Sequence, residues 1–175
     1  MRRVFAVTVV MWGCLFASSA LGTSTEISYE ASYLGQGQES GERWQYTYDV
    51  TNKSNSTIDY VKEFTIWFDY GKYDNLTLVL PAPAGWDPIK WDPEPVLQDN
   101  GAYDAKASAG IGKGGNVYGF AVSFDWLGTG TPGPQQYHIV DPDNYPVPIE
   151  MGWTPEPATL CLLGLGGFAL LRKRR

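Results

Sequence analysis

The stretch YGFAVSFDW, residues 118–126, decides the fold class. Large apolar side chains alternate in it with small or polar ones, and they are Tyr118, Phe120, Val122, Phe124 and Trp126. A period of two residues is that of a β-strand with one buried face. The stretch therefore predicts a strand whose aromatic face contributes to a hydrophobic core.

Further strands are predicted on either side of this one. They lie within residues 26–33, 43–50, 58–70, 76–80 and 137–140, with a short strand at 102–108 and a last short strand or extended tail at 147–153. Turn residues separate them, and no segment between residues 23 and 153 shows a helical period. We therefore predict an all-β fold: a single antiparallel β-sandwich, immunoglobulin-like or jelly-roll-like, flanked by an N-terminal signal peptide and a C-terminal hydrophobic helix.

Two segments depart from a simple alternation. In residues 58–70, Phe64, Ile66 and Phe68 share one face but Trp67 lies on the other, so we expect both faces to be partly covered. Residues 81–95 contain five prolines together with Trp86 and Trp91. Proline at this density excludes a central strand, and it predicts a long ordered loop or an edge segment.

Residues 1–22 have the organisation of a secretory signal peptide. Arg2 and Arg3 precede an apolar run at 4–16, and small residues at 17–22 allow cleavage after Ala20 or Gly22. Cys14 raises a lipoprotein alternative, which the preceding Trp12 and Gly13 fit poorly.

The segment TPEPATLCLLGLGGFALLRKRR, residues 154–175, has three parts. Pro155-Glu156-Pro157 is followed by an apolar run at 158–171 and then by Arg172, Lys173, Arg174 and Arg175. Apolar residues followed by a basic cluster are typical of a membrane stop with its basic end in the cytoplasm. The run has 14 residues, fewer than the roughly 20 of a full span, so it suits a temporary anchor.

This segment resembles the PEP-CTERM sorting signal of Gram-negative bacteria, a tail pattern also labelled after the C-terminal part of ice-binding proteins. The resemblance covers residues 154–175 alone. It implies export across the inner membrane and recognition by an exosortase-like membrane enzyme at Pro155, Glu156 and Pro157. It also implies anchoring through 158–171, retention by residues 172–175 before cutting, and delivery to the cell surface or an exopolysaccharide matrix. An ordinary anchor that is never cut is the alternative.

One β-sandwich domain is expected at residues 23–153. All 19 acidic residues but only seven basic ones lie within residues 26–156, which leaves a net charge of −12. Nucleic acid and anionic membrane surfaces both require a basic face, so neither is an expected partner. Both cysteines, Cys14 and Cys161, lie in the targeting segments, and stability must come from packing without a disulfide.

Trp86 and Trp91 are candidate glycan-binding residues. Sugars stack on aromatic faces, and Asp87 and Asp92 next to the tryptophans can accept hydroxyl protons in hydrogen bonds. A proline-rich segment would hold the two indoles in place at little entropic cost. The alternative is that the tryptophans fold back onto one end of the sandwich as part of the core.

Catalysis is not expected. His138 is the only histidine, and no serine, including Ser123, has the surroundings of a catalytic nucleophile. Carboxylates such as Glu63, Asp69, Asp125 and Glu150 leave a secreted glycan-active hydrolase as the alternative function. Two of them converging in a cleft beside Trp86 would favour that alternative.

Calcium is the only cofactor with any support in the sequence. Acidic and amide residues cluster in two turns, Asp69, Asp74 and Asn75 in one and Asp141, Asp143 and Asn144 in the other. Neither has EF-hand spacing, and such residues are common in turns for geometric reasons.

The function predicted from the sequence is that of an exported protein with a structural or adhesive role, associated with exopolysaccharide.

Overall fold

The computed structural model describes residues 24–37, 41–141 and 148–155. These residues form nine strands, which are β1 (Thr25–Gln36), β2 (Glu42–Asn52), β3 (Tyr60–Phe68), β4 (Tyr73–Leu78), β5 (Trp86–Trp91), β6 (Gly101–Gly112), β7 (Asn116–Trp126), β8 (Gln136–Val140) and β9 (Pro148–Trp153). Within these ranges there is no helix long and apolar enough to cross a membrane. The predicted signal peptide and the apolar segment 158–171 lie outside them.

The strands form two antiparallel sheets. Four strands are ordered β1-β2-β7-β4, and five are ordered β5-β6-β3-β8-β9. Every pairing of neighbours is antiparallel. The predicted all-β sandwich is thereby confirmed, and the stretch 118–126 occupies the interior of the four-stranded sheet, between β2 and β4.

Aromatic side chains fill the space between the sheets. The fully buried ones are Tyr46, Tyr48, Phe64, Phe68, Tyr103, Phe120, Phe124 and Tyr137. Many rings meet edge to face, as Phe64 and Phe120 do with centroids 4.9 Å apart, which is a favoured geometry for aromatic pairs. Packing of this kind can stabilise a domain without a disulfide, as the sequence of this cysteine-free region requires.

Gln135 satisfies the buried tyrosine hydroxyls at one end of the core. Its Nε2 donates to the Tyr46 and Tyr73 hydroxyl oxygens at 2.7 and 3.1 Å, and its Oε1 accepts from the Tyr48 hydroxyl at 3.3 Å. Burial raises the pKa of Tyr46 and Tyr48, so both stay neutral. The amide thus compensates the cost of burying three hydroxyl groups between apolar rings.

The strict alternation predicted for residues 118–126 stops at Gly119. The β2–β7 register shifts there, because Tyr48 lies opposite Phe120 while Asp49 lies opposite Tyr118. Gly119 has a φ of 88°, which glycine adopts without strain, and the extra residue forms a bulge. Tyr118 consequently leaves the core face and is 62% exposed.

The proline-rich segment contributes a strand. β5 pairs only with β6 and forms one edge of the five-stranded sheet, which confirms the edge alternative predicted for residues 81–95. Pro88 is tolerated because an edge strand has a side without hydrogen-bonded neighbours. The strand predicted at 102–108 is longer than expected and runs over β6, Gly101–Gly112.

Candidate functional site

The side chains on the outer face of the five-stranded sheet form the candidate site. In β5 the residues Asp87, Ile89 and Trp91 point outward, while Trp86 packs against the core. The strand register places these side chains in rows across the sheet: Ile89 lies opposite Asp104, Asp104 opposite Thr65, and Thr65 opposite His138. We call this surface the outer face.

A shallow cavity of about 410 Å³ lies on the outer face. Its lining combines apolar and polar side chains from four strands and the start of a fifth, and consists of Glu63, Thr65, Trp67, Asp87, Ile89, Trp91, Asp104, Lys106, His138, Val140 and Pro148. Exposed aromatic surface beside convergent polar groups is the usual composition of a small-molecule or glycan site.

Two nearly buried carboxylates form the floor of the cavity. Asp104 Oδ2 accepts a hydrogen bond from the Thr65 hydroxyl at 2.7 Å, and Lys106 Nζ lies 3.4 Å from Glu63 Oε2. Burial, with a smaller contribution from the neighbouring Glu63, raises the pKa of Asp104 to about 6. At neutral pH Asp104 is therefore an ionised, nearly buried carboxylate that accepts a hydrogen bond from Thr65.

The raised pKa of Asp104 predicts a specific pH dependence of stability. The folded protein binds this proton more tightly than the unfolded chain, whose carboxyl has its ordinary pKa near 3.8. Stability from this group is therefore greatest below about pH 4 and falls as the pH rises to about 6. Above pH 6, Asp104→Asn should raise the free energy of unfolding by about 1–2 kcal/mol, allowing for partial screening by water.

Urea unfolding at pH 4 and pH 7 would measure this effect. The increase in the free energy of unfolding caused by Asp104→Asn should be present at pH 7 and absent at pH 4. Thr65→Val removes the hydroxyl that stabilises the carboxylate and should move the transition to higher pH. An equal effect of Asp104→Asn at both pH values would contradict the assignment.

Trp67 is the central aromatic residue of the outer face. It lines the cavity described above together with Trp91, and it also lines a second cavity, of about 280 Å³, together with Trp153. Its ring meets the His138 ring edge to face, with centroids 5.5 Å apart, and burial lowers the pKa of His138. A neutral imidazole thus holds the indole of Trp67 in place.

The structure separates the two tryptophans that the sequence singled out. Trp86 faces inward and packs on Phe64 and Phe120 with centroid distances of 5.7 and 5.0 Å, as the core alternative predicted. Trp91 is 53% exposed on the outer face. They differ because residues five apart in one strand point to opposite sides of the sheet.

The two aspartates next to the tryptophans also have different environments. Asp87 lines the cavity on the outer face. Asp92 Oδ1 accepts from the Leu76 backbone N–H at 2.7 Å, and Asp92 Oδ2 contacts the Lys90 ammonium group. Asp92 thus fixes the end of β5 to β4 of the other sheet, whereas Asp87 remains a candidate ligand contact.

The residues considered for catalysis do not converge. His138 lies on the outer face of the five-stranded sheet, whereas Ser123 lies in β7 and accepts a hydrogen bond from Arg43 at 2.8 Å. Asp125 pairs with Arg43 at 3.0 Å in the four-stranded sheet. Glu63 is the member of the carboxylate set that reaches the cavity, and its neighbour there is Asp104.

The other two carboxylates have structural partners. Asp69 forms an ion pair with Lys72 at 2.8 Å. Glu150 accepts from the backbone N–H groups of Ser24 and Thr25 at 2.8 and 2.9 Å, and so ties the start of β1 to β9.

The first turn considered for calcium is organised by internal hydrogen bonds. Asp74 Oδ1 accepts from the Asn75 backbone N–H at 2.7 Å, and the Asn75 amide donates to Asp125 at 3.2 Å. Among the described residues no group of three or more metal-ligating side chains is found. In the second turn, Asp143 and Asn144 lie outside the described part of the chain.

Sequence reasoning did not identify Trp67, Trp153, Asp104 or Lys106 as site residues. For Trp67 the signal was present, since it stands out of phase with Phe64, Ile66 and Phe68. For Trp153 the signal was also present, since it shares one face of its strand with Ile149 and Met151, and all three side chains are exposed. What the sequence lacked was the strand order that brings these residues to one face.

The sandwich continues directly into the tail. The Thr154 backbone N–H donates to the Gln135 carbonyl at 2.9 Å, and Thr154 Oγ1 accepts from the Gln135 backbone N–H at 2.9 Å. Thr154 is buried and Pro155 is exposed. Of the predicted sorting residues, Glu156, Pro157, Arg172, Lys173, Arg174 and Arg175 lie outside the described residues.

Comparison with known proteins identifies the tail. A family model described as the PEP-CTERM protein-sorting motif matches residues 154–175. A search of curated proteins finds no match for the chain. The chain therefore carries a PEP-CTERM protein-sorting motif, which implies export, transient membrane anchoring and processing by an exosortase-type membrane enzyme before display at the cell surface.

Proposed function

We propose that the sandwich domain is a polysaccharide-binding module, displayed on the cell surface or in the extracellular matrix of a Gram-negative bacterium. Its role is structural or adhesive. The observation that carries the proposal is the cavity on the outer face, where Trp67 and Trp91 flank a floor of polar side chains.

The aromatic part of the face supplies stacking surface. Sugar rings present apolar C–H groups that pack on an indole, and tryptophan contributes large contact area with little loss of side-chain freedom. Trp91 is 53% exposed, and Trp67 lines two cavities. A contiguous exposed patch of apolar surface marks an interaction site, whereas scattered apolar residues do not.

The polar part of the face supplies orientation. Asp104, Thr65, Lys106 and His138 alternate as acceptors and donors across three neighbouring strands. Glu63 Oε2 is buried and makes no hydrogen bond to the described residues, although Lys106 lies nearby. Hydroxyl groups of a sugar are the kind of donor that such a carboxylate requires.

The experiment is retention of the full chain, purified in mild detergent, on immobilised exopolysaccharide from the host. The double variant Trp67→Ala/Trp91→Ala should lose at least tenfold in affinity, the usual scale for truncating central tryptophans. The matched control is Tyr118→Ala, which removes an exposed aromatic residue from the other sheet.

Equal retention of wild type and the double variant would contradict the proposal. Loss of retention with Tyr118→Ala as well would indicate nonspecific adsorption and would contradict it too. Circular dichroism of each variant checks that the sheets are intact.

The alternative function is a secreted glycan-active hydrolase, and the raised pKa of Asp104 beside Glu63 favours it. A carboxyl with a pKa of about 6 can donate a proton near neutral pH while a second carboxylate acts as base or nucleophile. Release of reducing sugars that is abolished by both Glu63→Gln and Asp104→Asn would establish this activity. Retention on the polysaccharide without release of reducing sugars would support the binding module and exclude the hydrolase.

A further inference from the structure

Three tryptophans form a single row across the five-stranded sheet. Trp91 in β5 lies opposite Ala102 in β6, and Ala102 lies opposite Trp67 in β3. Gln136 in β8 lies opposite Trp153 in β9. Continuing the β3–β8 register by one residue from the Ile66–Tyr137 pair places Trp67 opposite Gln136. We call Trp91, Trp67 and Trp153 the tryptophan row.

The row has a regular spacing, because a tryptophan occupies every second strand. Neighbouring strands lie about 4.8 Å apart, so the backbone positions of successive tryptophans are about 9.5 Å apart and the whole row spans about 19 Å. Ala102, which separates Trp91 from Trp67 in the row, is small and almost completely covered by its neighbours. The outer two indoles are 53% and 67% exposed.

Each neighbouring pair in the row lines a cavity. Trp91 and Trp67 line one cavity, and Trp67 and Trp153 line the other. The second cavity lies at the end of the sandwich, because Tyr73 and Trp126 of the other sheet also line it. Trp67 therefore offers surface to both cavities.

This spacing matches one class of carbohydrate. In equatorially linked hexose chains of the cellulose and mannan type, each ring is turned by about half a turn from the previous one. Every second ring then presents the same face in the same direction, and the disaccharide repeat is close to the distance between alternate strands. Chains with axial linkages curl and do not keep such a repeat.

The twist of the sheet favours a single chain over a flat crystalline surface. Strands rotate by about 20–25° per step, so the side-chain direction turns by about 80–100° from β5 to β9. A single chain can twist about its glycosidic bonds so that alternate rings follow this turn, whereas a flat stack of chains contacts only part of the row.

The charge of the surface further restricts the class of polysaccharide that can bind. Glu63, Asp87 and Asp104 lie next to the row, and acidic residues outnumber basic ones in the exported part of the chain. A polyuronate would be repelled by this surface. From the spacing and the charge together we infer that the tryptophan row binds one linear, uncharged, equatorially linked polysaccharide chain, lying across the strands with alternate rings on Trp91, Trp67 and Trp153. This inference rests on the proposed function.

The test is a length series of cello-oligosaccharides with three to six rings, titrated against the full chain in mild detergent and followed by tryptophan fluorescence. Three rings cover two tryptophans and five rings cover all three. Affinity should therefore rise about tenfold from three rings to five and then level off, the usual scale for one buried tryptophan contact. Malto-oligosaccharides of equal length should bind at least tenfold more weakly.

Single variants identify the positions. Trp153→Ala should remove the gain between three and five rings while lowering the affinity for three rings by no more than about twofold, because three rings can still bind across Trp91 and Trp67. Trp67→Ala should weaken every length about tenfold, because it removes the platform shared by both cavities. Trp67→Phe keeps an apolar ring and should recover part of the affinity, which separates stacking from a folding defect.

Two results would overturn the inference: a level affinity from three rings upward, or a Trp153→Ala variant that behaves as wild type. These results are distinct from failure of the proposed function. If the host polysaccharide is still retained through Trp67 and Trp91 but affinity does not change with oligosaccharide length, the proposed binding function is supported and the inference about the tryptophan row is wrong. If nothing is retained, both fail.

Discussion

Replacing Phe124 with alanine is expected to lower the free energy of unfolding by about 3–5 kcal/mol. Phe124 is fully buried in β7, and its ring centroid lies 4.6, 5.0 and 5.7 Å from those of Tyr46, Tyr73 and Phe68. Since three large rings surround it, they cannot collapse into the space that the side chain leaves. Urea unfolding of a chain spanning residues 23–155 measures the change.

Tyr118→Ala is the matched control for Phe124→Ala. It removes an aromatic side chain of similar size from the same strand, at a position that the Gly119 bulge turns to solvent. Its effect should stay within about 0.5 kcal/mol. A loss below about 1 kcal/mol for Phe124→Ala would show that the aromatic core is not the main source of stability.

Replacing Asp125 with alanine should cost about 3 kcal/mol, because it leaves a nearly buried arginine without its counter-charge. The side chains of Arg43 and Asp125 are 17% and 5% exposed. Arg43 also donates to the Asn75 carbonyl and to the hydroxyls of Thr77 and Ser123 at 2.8–2.9 Å. The pair thereby joins β2, β7 and β4, and its loss should loosen the β4 edge first.

Two further variants separate the ion pair from its surroundings. Asp69→Ala breaks the ion pair with Lys72 on the surface, where the side chains of Lys72 and Asp69 are 59% and 52% exposed. This variant should lose at most about 1 kcal/mol of stability. The double variant Arg43→Met/Asp125→Leu removes both charges and should recover most of the stability lost by Asp125→Ala. A double variant as unstable as Asp125→Ala would show that the hydrogen bonds to β4, not the unpaired charge, set the cost.

Strand identity was predictable from local pattern, and register was not. The alternation at 118–126 and the runs around Tyr46 and Phe64 each identified a strand, because a half-buried strand repeats every two residues. The bulge at Gly119 broke the pattern at Tyr118, since a bulge depends on the backbone conformation of one residue and its cross-strand partner. The described residues form nine strands, one more than the eight segments predicted from the sequence, because β5 forms at an edge despite its proline.

The candidate site could be predicted only in part. Trp91 and Asp87 were identified from composition, and both reach the outer face. Trp86 was grouped with Trp91 although an odd spacing within a strand separates them to opposite sides of the sheet. Trp67, Asp104 and His138 come from strands that are distant in sequence, and only the order β5-β6-β3-β8-β9 makes them neighbours.

The hydrogen bonds between Thr154 and Gln135 determine how the domain is presented to its surroundings. Thr154 is held on both its backbone N–H and its hydroxyl, and the next residue, Pro155, is already exposed. The last strand ends at Trp153, and only Thr154 separates it from Pro155, so a C-terminus created near Pro155 would leave the domain with a short stalk. We expect a stalk this short to keep the edge that carries Trp153 close to that C-terminus.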